Sequence, residues 1–88
     1  MYYHYYEYPD AHRVLPHFGI RQDRYKLICF YQGTSKSWEL FDLQSDPDEM
    51  INLYERADLK PKIGSMKAEL RKLMIQYDDK QALKELSR

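Results

Sequence analysis

The segment Trp38 to Tyr54, WELFDLQSDPDEMINLY, decides how the chain reads. Trp38 to Leu43 alternates like a strand, with Trp38 and Leu40 facing one way and Phe41 and Leu43 the other. A polar turn follows. Asp46 stands where a helix N-cap belongs, Pro47 fits the first helical position, and Glu49 lies at capping-box spacing. Met50, Leu53 and Tyr54 then recur at helical spacing, which predicts a short helix over about 47–54. Upstream of this segment the chain reads as sheet, and downstream as helix.

Residues 2–8, YYHYYEY, have strand propensity and no helical period. Tyr2, Tyr6 and Tyr8 fall on one face and Tyr3 and Tyr5 on the other, the pattern of a strand covered on both sides. Pro9 and Asp10 turn the chain. A second strand is expected over 17–22, where Gly19 marks a bulge or a close backbone approach. The clearest strand is 24–31, with Tyr25, Leu27, Cys29 and Tyr31 opposite Lys26, Ile28 and Phe30. A polar loop, Gln32 to Ser37, leads to the strand over 38–43. Connections this short cannot make a crossover, so neighbouring strands run antiparallel.

After a fresh cap at Asp58, Leu59, Ile63, Met66, Leu70, Leu73, Met74 and Tyr77 form one stripe of an amphipathic helix over 59–77. Pro61 is tolerated in its first turn. Lys62, Lys67, Glu69, Arg71 and Lys72 make the polar face. Past Asp78 the stripe loses phase, and 79–88 reads as a tail. Residues 1–78 thus predict one α+β domain: a four-stranded antiparallel sheet with a C-terminal amphipathic helix packed on one face.

Lys plus Arg and Asp plus Glu are both 14, and this balance argues against a general nucleic-acid binder. No apolar run reaches membrane-spanning length, and no basic segment leads a hydrophobic one as in a signal peptide. The single cysteine, Cys29, excludes an intrachain disulfide and reads as a small buried hydrophobe. His4, His12 and His17 lie near Glu7 and Asp10, but their spacing matches no helical ligand pair, and no metal is expected. The acids of SDPDE lack the alternating oxygen ligands of a calcium loop. No catalytic residues stand out. Histidine, arginine and tyrosine read better as a polar rim. On these residues alone, a stand-alone interaction module using its tyrosine-rich strand stays open.

The ordered series Tyr5 to Pro9 (YYEYP), His12, His17-x-Gly19-Ile20-Arg21, Arg24 to Ile28 (RYKLI) and WELFDLQSDPDEMINLY resembles the C-terminal subdomain of type I sulfatases, nearest to bacterial arylsulfatases and N-acetylglucosamine-6-sulfatases. The resemblance implies the same sheet and helix, docked on a large N-terminal catalytic domain, in a periplasmic or secreted parent enzyme. It implies formylglycine and calcium in that parent and no cofactor in this stretch. Formylglycine arises in a C/S-x-P-x-R motif, whereas Cys29 is followed by Phe30, Tyr31 and Gln32. The chain therefore reads as a non-catalytic piece that borders a substrate cleft, with His12, His17 and Arg21 as its rim candidates.

Two outcomes are expected. The purified chain releases no sulfate from a model aryl sulfate, and measurable turnover would overturn the reading. Separated from a catalytic domain, it self-associates through its first strand or its uncovered sheet face; sedimentation at rising concentration checks this, and a strict monomer counts against it.

Overall fold

The computed structural model describes residues 2–5, 16–32 and 35–87. Four strands, β1 (Tyr2–Tyr5), β2 (His17–Arg21), β3 (Tyr25–Gln32) and β4 (Ser35–Asp42), form one antiparallel sheet in sequence order. A single 3₁₀ turn (Ala57–Leu59) leads into α1 (Lys60–Gln76), and α2 (Lys80–Ser87) follows. The predicted α+β architecture is the one found.

Strand alternation divides the sheet's side chains. Tyr2 and His4, Phe18 and Ile20, Tyr25 to Tyr31 in steps of two, and Trp38 and Leu40 share the face under α1. Phe18, Leu27, Cys29 and Leu40 are fully buried there, against Ile63, Met66, Leu70 and Met74 of α1. These four helical residues recur at steps of three and four, so one stripe meets the sheet and the charged face points outward. Each fully buried aliphatic contributes about 1.5–3 kcal/mol. The opposite face carries Tyr3, His17, Gly19, Arg21, Lys26, Ile28, Phe30 and Phe41.

The structure departs from the sequence reading in three places. No helix forms over 47–54. Glu49 adopts φ +55°, which breaks a right-handed helix, and its carboxylate reaches Lys26 Nζ at 2.9 Å. Asp46 accepts hydrogen bonds from the backbone N–H groups of Met50 (3.0 Å) and Ile51 (2.9 Å), further along than a helix cap reaches. The residues after this loop form a strap along β4. Asn52 Oδ1 accepts from the N–H groups of Leu40 (2.9 Å) and Tyr54 (3.0 Å), Asn52 Nδ2 donates to the Trp38 carbonyl (3.3 Å), and Leu53 N–H donates to the Leu40 carbonyl (2.8 Å).

The expected tail is instead a helix. Asp78 at φ +53° ends α1, and Asp79 caps α2 by accepting from Ala82 N–H at 3.1 Å. Ala82 is fully buried, and Leu83 and Leu86 pack on the core. Ser35 to Ser37, expected in a loop, extend β4, because ladder pairing of Lys36 with Tyr31 and Ser37 with Phe30 uses backbone groups alone. Lys36 Nζ also donates to the Glu85 carbonyl at 3.0 Å. Of the two readings offered for Gly19, the close backbone approach is the one found: its register with Tyr3 and Ile28 is continuous. A Cβ there would stand 2.7 Å from both the Leu27 carbonyl oxygen and Tyr3 Oη.

Gly19 and Gly64 give opposite expectations. Gly19→Ala forces Tyr3 off the sheet and destabilises by about 1–3 kcal/mol. Gly64 lies within α1, and a Cβ there would meet nothing within 4 Å, so Gly64→Ala stabilises by about 1 kcal/mol through helix propensity. Urea unfolding of both variants distinguishes them; the same sign for both contradicts this packing.

Candidate functional site

The sheet face away from α1 offers the arrangement of side chains closest to a binding wall. His17 on β2 stands between Tyr3 of β1, whose ring meets it edge-on at 5.8 Å, and Phe30 of β3 at 5.0 Å. Because Gly19 has no side chain, the Tyr3 ring lies over its backbone. On the far side of that ring, Lys26 Nζ lies 6.0 Å from the centroid and is paired with Glu49. Burial first, and the Glu49 charge second, push the Tyr3 phenol up to about 12. Tyr3 therefore keeps its proton at neutral pH and serves as a donor, not as a base. This wall offers ring surfaces, one imidazole and a paired cation. It can hold a polar ring-shaped ligand, but it presents no nucleophile.

Of the rim candidates, His17 and Arg21 do not meet. His17 and Arg21 share a face at opposite ends of β2, about 13 Å apart at 3.3 Å per residue. Arg21 instead lines a cleft at the β2–β3 turn with Lys62. His12 lies outside the described residues. His4 does not join His17: it is on the other face of the sheet, with a side chain only 4% exposed.

There His4 belongs to a network the sequence reading missed. Its Nδ1 is 2.6 Å from Asp79 Oδ2 and its Nε2 is 2.6 Å from Tyr31 Oη, and Tyr2 Oη donates to the same Asp79 oxygen at 2.5 Å. One carboxylate thus caps α2 and ties down β1. Alternation could have paired Tyr2 with His4, but nothing local links them to an aspartate more than seventy residues on. Burial works to raise the Asp79 carboxyl, yet the bonds from Tyr2, His4 and Ala82 outweigh it and hold it below its ordinary value. Asp42, which accepts from Arg24 Nε and Nη2 and from the N–H groups of Gln44 and Ser45, is held well below the carboxylate range, chiefly by Arg24.

Among the described residues no three His, Cys, Asp or Glu side chains gather as metal ligands. The Asp46 carboxylate is engaged by backbone N–H groups and that of Glu49 by Lys26. These acids do not fit a calcium site. Cys29 is fully buried on the helix side and lacks the sequence context of a formylglycine precursor.

The described residues form a small antiparallel sheet backed by C-terminal helices. The chain belongs to the family described as N-sulphoglucosamine sulphohydrolase, C-terminal, which matches residues 1–76. It is 42% identical over 78 residues to an N-acetylglucosamine-6-O-sulfatase of Bacteroides thetaiotaomicron, covering 89% of this chain and 14% of that protein. A solved structure in complex with its substrate D-glucosamine-2-N,6-O-disulfate superposes with a TM-score of 0.81 at 42% identity, over 90% of this chain and 16% of the other. The chain therefore spans about a seventh of the length of the sulfatase it resembles and corresponds to its C-terminal part, as the motif series implied.

The depressed carboxyls set the acid response. Asp42 and Asp79 have folded values below their unfolded ones, so their contribution is present above about pH 4 and is lost as pH falls through the folded values. Unfolding free energy should drop between about pH 5 and pH 2. Asp79→Asn is less stable at pH 7 and loses less over that range; an equal slope for variant and parent would contradict the network.

Proposed function

We propose that this domain completes the substrate cleft of a sulfuric-ester hydrolase that acts on sulfated sugars. The supporting observation is the family match across residues 1–76, together with 42% identity to an N-acetylglucosamine-6-O-sulfatase. In this reading a large N-terminal catalytic domain is the partner, and it supplies the formylglycine and calcium that the acids and Cys29 described above do not fit. Held in that domain, these groups would supply the chemistry of ester cleavage. The present chain supports the cleft wall and orients the sugar.

The wall of Tyr3, His17 and Phe30 is the surface assigned to the sugar. It suits a pyranose, since ring faces contact its C–H surfaces while imidazole and phenol groups bond its hydroxyls. His12, five residues before His17 in the sequence, is assigned with it to the same rim. Such contacts are made in both ground and transition states, so their loss appears in KM more than in kcat.

The test uses a polypeptide that carries a complete sulfatase catalytic domain upstream of this chain. With glucosamine 6-sulfate as substrate, His17→Ala should raise KM about tenfold, roughly 1.4 kcal/mol, with kcat within about twofold. A small aryl sulfate, which offers no sugar, should be hydrolysed unchanged. Equal losses on both substrates would show that His17 acts on the fold or the chemistry and not on the sugar.

A further inference from the structure

We propose that the cleft between the β2–β3 turn and the first turn of α1 is an anion-binding site that takes a sulfate group carried on a sugar. The cleft measures about 630 Å³ and is lined by Arg21, Gln22, Asp23, Arg24, Tyr25 and Lys62, a volume that accommodates a monosaccharide to disaccharide. In a chain whose charges balance overall, three cations and one acid line this space.

One of its cations, Arg24, is held in place. Arg24 donates through Nε and Nη2 to Asp42, at 3.1 and 2.9 Å. Asp42 is itself buried and fixed by two backbone N–H groups, so the guanidinium is anchored from beneath. A guanidinium carries five N–H donors. The bonds to Asp42 occupy the Nε–H and one Nη2–H, and the Arg24 side chain is 54% exposed. The remaining donors have no protein acceptor among the described residues. Tyr25 lies between two cations: Arg24 stands 5.2 Å and Lys62 5.5 Å from its ring centroid. No carboxylate among the described residues pairs with Lys62. A fixed fork and an ammonium beside one tyrosine ring match a tetrahedral oxyanion, which accepts paired N–H bonds from arginine and a point charge from lysine. With three cations against the single acid Asp23, the lining favours an anionic ligand over a cationic one.

That the anion is borne by a sugar rests on the reading under Proposed function; the anion chemistry does not. The test titrates the ¹⁵N-labelled 88-residue protein at low salt with D-glucosamine-2-N,6-O-disulfate, N-acetylglucosamine or inorganic sulfate. The disulfate should shift the amides of Arg21, Arg24, Tyr25 and Lys62 saturably, and N-acetylglucosamine should not. Lys62→Gln, which removes a charge without touching the core, should weaken the disulfate at least threefold while leaving the remaining spectrum unchanged. Arg21→Gln should do the same, and added salt should weaken binding further. Absence of saturable shifts at these four residues, or unchanged affinity in Lys62→Gln, overturns the site. Inorganic sulfate binding as tightly as the disulfate overturns the sugar assignment. Neither result bears on the His17 kinetics, so the two readings fail separately.

Discussion

Asn52 does for this sheet what a fifth strand would otherwise do. Its amide accepts from Leu40 N–H and donates to the Trp38 carbonyl, a side chain standing in for a peptide group along the edge of β4. An open strand edge is a row of unsatisfied donors and acceptors that invites pairing with other chains. The strap closes part of that row without adding sheet. It also delivers Tyr54 onto Trp38, with rings nearly parallel at 6.0 Å. Lys67 of α1 then lies over both rings, 4.3 Å from Trp38 and 5.1 Å from Tyr54, and bonds the phenol at 2.6 Å. Edge, strap and helix meet at this stack. The strap held by Asn52 thus adds a polar and aromatic contact to the apolar stripe that seats the helix on the sheet.

Much of this was legible in the sequence because it depends on periodicity. Residues 24–31 alternate, and the structure keeps both faces as read. The α1 stripe meets the sheet through Ile63, Met66, Leu70 and Met74 for the same reason. What stayed hidden depends on tertiary partners. The SDPDE segment carries every local mark of a helix start, yet Glu49 is drawn into a left-handed turn and pairs with Lys26, a residue on a different strand. Asn52 shows no strand pattern because its role is played by the side chain. Residues 80–87 lost phase with α1 because Asp79 starts a new helix with its own axis, not because helix ended. Similarly, Lys67 reads as part of a solvated face, and only the strap makes it a cover for Trp38.

The candidate site was legible by composition and not by placement. His17 and Arg21 lie four residues apart on one strand, which sets them on one face and at its two ends. Each then takes its character from its neighbours. His17 is enclosed by rings, on a wall made possible by a missing side chain at Gly19. Arg21 joins the cations Arg24 and Lys62. Two surfaces of different chemistry therefore occupy one small sheet, one aromatic and one cationic.

The Asp79 carboxylate joins residues at opposite ends of the chain: Tyr2 is 77 positions away, and His4 is 75. Closing a loop of that length costs more entropy than any hairpin in the sheet, and contacts so distant in sequence form late. β2, β3 and β4 can pair as successive hairpins, but β1 gains its clip only when the α1–α2 junction has turned. On a ribosome, which releases the N-terminus first, the first strand of this domain must wait for nearly all of the remaining residues before its histidine and tyrosine find their acceptor. β1, at one edge of the sheet, is thus secured by a residue near the far end of the domain's described sequence.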